Sequence, residues 1–127
     1  AFTAQLPHAY MQASNIQFHI HITYPNGNAG NSVWQMTHSW AAINAAFPTE
    51  TTPTAVTLAS PAAVDTHKVH DVATLTGTGK SISSQVLCSL ARLGTDVADT
   101  YDDYVYLTGA DFHIVRDTIG SISEYTK

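Results

Sequence analysis

Charge is scarce in this sequence. Only 12% of its 127 residues are Asp, Glu, Lys or Arg, about half the share usual in globular domains. Five Lys and Arg stand against ten Asp and Glu, a formal net charge of −5. No basic cluster tracks along the chain, which argues against nucleic acid as a partner. A single cysteine, Cys88, excludes an internal disulfide. No apolar run approaches the ~20 residues that span a bilayer as a helix, and "AFTAQLPHAY" has neither the basic start nor the apolar middle of a signal peptide. There are two glutamates, Glu50 and Glu124. No Gly-x-Ser-x-Gly elbow presents a nucleophilic serine.

What the chain does have is 44% hydrophobic residues, enough for a core of one domain spanning residues 1–127. The surface must then be built from Ser, Thr, Asn, Gln and His. Such a surface repels its neighbours weakly and suits packing against other subunits.

The dominant period is two. In "IQFHIHITY", Phe18, Ile20, Ile22 and Tyr24 alternate with Gln17, His19, His21 and Thr23, as on a half-buried strand. "PNGN" follows, and Asn-Gly between alternating runs predicts a tight hairpin. The next run places Trp34, Met36, His38 and Trp40 on one face, with Val33, Gln35, Thr37 and Ser39 on the other. The two strands are expected to pair antiparallel, setting Gln35 and Thr37 beside His19 and His21. "AAINAAF" offers at most one short helical turn. "TAVTLAS", "KVHDVATLT", "QVLCSLARL", "YVYLTG" and "ADFHIVR" read as further strands, the last two as one long strand bent at Gly109. "ISSQVLCSLARL" is apolar on both faces, Val86, Cys88 and Leu90 on one and Leu87, Ala91 and Leu93 on the other, so one face is expected in the core and the other at a core edge or subunit contact. The closing "DTIGSISEYTK" reads as extended. About seven or eight short strands separated by turns define an all-β antiparallel sandwich of jelly-roll type.

Several motifs invite chemistry. "LTGTGKS" lacks the first glycine of a phosphate loop, Thr74 standing in its place, and no helix follows; it reads as a turn. His19-x-His21 puts two imidazoles on one strand face. A metal would need further ligands, and His113, Asp111, His67, His70 and His8 are the residues that could complete such a set. The His-x-His of cupin sheets is similar, but its downstream glutamate has no counterpart here. His38, on the tryptophan face, reads as a core histidine. Asp96, Asp99, Asp102 and Asp103 lack the EF-hand spacing and read as a solvated loop. Cys88, mid-strand in an apolar run, reads as inert. No catalytic set assembles, so no enzyme activity and no cofactor are expected. His19, His21, Gln35 and Thr37 are the interface candidates, and Tyr101, Tyr104 and Tyr106 could stack on sugar rings.

Four segments together resemble a family of tailed-phage virion structural proteins: "QLPHAYMQASNIQFHIHI", "VWQMTHSWAAINAAFP", "SSQVLCSLARLGTDVADTY" and "DFHIVRDTIGSISEYTK". The likeness runs in order along nearly the whole chain. It implies a jelly-roll-like virion protein, homotrimeric, most simply a capsid decoration or cement protein contacting itself and the major capsid protein, with no membrane partner. Two other readings stay open at this point: a tail- or head-fibre knob binding a host glycan or receptor, and a small metalloenzyme using His19, His21 and His113.

Overall fold

The computed structural model describes residues 1–123 and 126; Glu124, Tyr125 and Lys127, the end of the expected extended tail, lie outside the described residues. Among these there are seven strands and no helix: β1 (Phe2–Gln5), β2 (Ile16–Thr23), β3 (Asn31–Ala41), β4 (Val56–Ala59), β5 (His67–Leu75), β6 (Gln85–Arg92) and β7 (Tyr106–His113). They form two antiparallel sheets, β1-β6-β3-β4 and β5-β2-β7. The pairs β1·β6, β2·β5 and β3·β4 are nested one inside the next, the wrapping of a jelly roll. β7 adds to the free side of β2. β1 is not among the expected strands, although Phe2, Ala4 and Leu6 alternate with polar residues.

One core lies between the sheets. β2 supplies Ile16, Phe18, Ile20 and Ile22, all fully buried. β3 answers with Trp34, Met36 and Trp40, and β6 with Val86 and Cys88. Phe2, Phe18 and Phe112 stack across β1, β2 and β7. The other side of β6 is exposed, Leu87 included.

The expected β2–β3 hairpin does not form. The two strands lie in opposite sheets and face each other across the core. Period two identifies which side chains are buried, and that pattern is the same whether two strands lie side by side or face to face. The loop is held open by its own polar groups. Asn26 donates from Nδ2 to Asp103 (2.6 Å), while its Oδ1 accepts the Tyr101 hydroxyl (2.8 Å) and the Asn28 amide (3.0 Å). Tyr24 is buried edge-on against Tyr101 and shares a hydrogen bond with Ser32. Gln35 and Thr37 therefore do not neighbour His19 and His21. They lie on the outer side of β3, where Gln35 donates to the Pro53 carbonyl (3.2 Å) and Thr37 meets Thr52 (3.2 Å).

The acidic loop is likewise not simply solvated. Arg92 grips Asp99 with two hydrogen bonds, Nε to Oδ2 (2.9 Å) and Nη2 to Oδ1 (2.6 Å). It also donates to the carbonyls of Asp103 and Tyr101. Asp99 Oδ2 accepts the Val33 amide as well (2.9 Å), and its side chain is 2% exposed. "GTGK" is a turn, closed by the Lys80 amide on the Gly77 carbonyl. Lys80 reaches over the Trp40 ring and donates to the Trp40 carbonyl (2.6 Å).

A histidine and aspartate face on the three-stranded sheet

On β2 the side chains opposite the core point to the outside of the β5-β2-β7 sheet, and these include His19 and His21. Antiparallel pairing sets residues directly opposite each other on the same face. His19 therefore sits between Asp71 on β5 and Asp111 on β7, and His21 between Val69 and Gly109. The next rows add His113, opposite Gln17, and His67, opposite Thr23. Gly109 presents no side chain beside His21, which leaves room there. A bulge in β5 opposite Phe18–His19 brings Asp71 into register with His19; on β7 the pairing runs unbroken from His113 to Gly109, setting Asp111 opposite His19, and shifts only beyond Gly109.

Four imidazoles and two carboxylates thus converge from three strands. His19 Nε2 stands 2.7 Å from Asp71 Oδ1. The approach is that of an ion pair but lacks hydrogen-bond alignment, so both ring nitrogens of His19 are buried with no hydrogen-bond partner among the described residues. The His19 and His113 ring centres are 3.9 Å apart. Asp111 reaches His21 Nε2 through Oδ1 (3.6 Å) and His113 Nε2 through Oδ2 (3.4 Å). His21 Nδ1 and His67 Nε2 are 2.9 Å apart with nearly parallel rings. One ligand atom from each of His19, Asp111 and His113 lies within 4.8 Å of the others.

His113, Asp111 and His67 join His19 and His21. His70 does not, because it faces the core side of β5 opposite Ile20; burial first, then Lys68, lowers its pKa, with Asp71 opposing. His8 is elsewhere, against Ser83 (3.0 Å) and the Ser121 carbonyl (2.5 Å). Asp71 is not among the expected ligands, although it shares parity with His67 and Val69 on the strand. His38 is half-buried, and burial, with Lys80 adding, lowers its pKa. Cys88 is buried in the core, which pushes its thiol up to about 12 and removes it as a nucleophile at neutral pH. Tyr101, expected to stack on sugars, is buried at 2% exposure and cannot; Tyr104 and Tyr106 are exposed.

Fold and face together define an all-β sandwich with an imidazole- and carboxylate-lined outer sheet. No family model, curated protein or solved structure matches the chain.

Proposed function

We propose that this protein is a non-catalytic structural subunit of a bacteriophage virion, a capsid decoration or cement protein that packs as a homotrimer and against the major capsid protein. The reading rests on the resemblance of the four sequence segments. One structural observation carries it further: large apolar side chains stand exposed along β7 and the chain around it, namely Tyr104, Tyr106, Leu107, Val115, Ile119 and Ile122. Isoleucines exposed as fully as Ile119 and Ile122, in a chain with so few charges to repel a neighbour, fit a surface that other subunits cover. Native mass spectrometry of the purified protein should give three times the 13.6 kDa chain mass, and cryo-EM of virions should place it on the capsid surface. A stable monomer that is absent from purified particles would overturn the reading.

A fibre-knob role is the second reading, favoured by one feature. Tyr104 is 77% exposed at the rim of a groove of about 660 Å³ that Thr100, Asp102 and Asp103 also line. An exposed ring beside carboxylates is how proteins commonly hold sugars, the ring stacking and the carboxylates accepting hydroxyl hydrogens. Binding on a glycan array that Tyr104→Ala removes would favour this role over the first.

A further inference from the structure

The outer face of the β5-β2-β7 sheet holds chemistry that packing alone does not require. A neutral imidazole carries one N–H and one lone pair. Both nitrogens of His19 are shut off from water, and neither is hydrogen-bonded among the described residues. A buried polar atom left in that state costs stability, and each such atom asks for a partner. Asp71 stands 2.7 Å from Nε2, so a carboxylate already faces one edge of the ring. The lone pair of a neutral imidazole is answered by an N–H or O–H donor or by a metal ion; no described donor reaches it, and what gathers beside the ring is a second imidazole and a carboxylate.

We propose that His19, Asp111 and His113 bind one first-row divalent transition-metal ion such as Zn²⁺. Their ligand atoms already lie within 4.8 Å of one another, whereas tetrahedral donors around Zn²⁺ stand about 3.4 Å apart. The difference is closed by rotation of two side chains that are free to turn: Asp111 is 45% and His113 59% exposed. Two imidazoles and one carboxylate select the zinc-like ions over Mg²⁺ and Ca²⁺, which prefer all-oxygen sets. The supporting partners that metal ligands usually have are also present. Asp71 stands against the ring of His19, and His21 approaches the carboxylate of Asp111. The neighbouring trio of His21, His67 and Asp111 is the weaker choice, because the His21 and His67 nitrogens satisfy each other at 2.9 Å. Three protein ligands leave the fourth position open on the outer face, to water or to a donor from a second molecule. The proposal does not depend on a virion role.

The test is zinc titration of the purified, chelator-stripped protein by calorimetry, with metal analysis after dialysis. Wild type should bind one Zn²⁺ per chain. His113→Gln and Asp111→Asn, both exposed and therefore compatible with folding, should weaken binding at least tenfold while circular dichroism stays unchanged. Asp71→Asn should weaken it by roughly 10-fold, as expected of a group that positions a ligand. Zinc should raise the melting temperature of the wild type and not that of His113→Gln. Substoichiometric binding by the wild type would overturn the proposal. So would a His113→Gln protein that binds as tightly as wild type, or loss of binding with His67→Gln alone, which would put the ion on the other trio.

Discussion

Asp99 shows how much one side chain can organise. Its carboxylate is enclosed between the Arg92 guanidinium and the Val33 amide, tying the 94–105 loop to β6 and β3. Its hydrogen bond with Arg92 holds its pKa below the usual carboxylate value, burial opposing and the Val33 amide adding to the depression. A depressed folded-state pKa contributes stability that is fully present above the unfolded carboxylate value, near 4, and is lost as pH falls through the folded value. Asp99→Asn leaves Arg92 with its two carbonyl partners but no counter-charge. Breaking a largely buried pair from one side costs roughly 3 kcal/mol, tempered here because Arg92 is 21% exposed. Urea unfolding at pH 7 should show that loss, and the difference from wild type should shrink as the pH is lowered below 4. A constant difference down to pH 2 would mean that the ion pair is not its source. Local sequence could not disclose this role, since Asp96, Asp102 and Asp103 look equally acidic and only the path of the loop selects Asp99.

At the scale of elements, alternation is a sound guide to faces and a poor one to neighbours. It correctly put Val86, Cys88 and Leu90 on the side of β6 opposite to Leu87, and the structure packs the first group on the core and leaves Leu87 exposed. Leu90→Asp sets a charge against the Trp34 and Met36 region of the core and should cost several kcal/mol. Leu87→Asp should unfold within about 0.5 kcal/mol of wild type, as exposed substitutions usually do. Comparing the midpoints of the two variants checks the assignment, and equal losses would refute it. The candidate site was half legible for the same reason. His19 with His21, and Asp111 with His113, share a face by parity alone. That β7 lies beside β2 and β5 on its other side is a matter of long-range register, which no local pattern carries. Parity also separates His67 from His70, three positions apart: only His67 joins the face. The hairpin failed because Asn-Gly specifies a two-residue turn only when nothing else claims the Asn, and here Asp103, Tyr101 and Asn28 do.

On the scale of the whole molecule, the nested pairing means that neither sheet is contiguous in sequence. To complete the four-stranded sheet β1 must find β6, and to complete the three-stranded one β2 must find β5 and β7, and the two sheets share one core of residues from both. Neither sheet can be stable alone, because each would expose its apolar face: Phe18, Ile20 and Ile22 on one side, Trp34, Met36 and Trp40 on the other. Folding and unfolding should therefore be a single cooperative event, and slow by the standards of domains this size, since every pairing closes a long loop. The two tryptophans make this testable. Both lie on β3 in the four-stranded sheet and both are buried, so their fluorescence reports on that sheet, while circular dichroism reports on both. In urea the two signals should trace one transition with a common midpoint, and refolding should take milliseconds to seconds. A fluorescence midpoint that precedes the dichroism midpoint would show that the β5-β2-β7 sheet keeps its structure without its partner, and one that follows it that the four-stranded sheet does; either way the single shared core would be the wrong description of what holds the sandwich together.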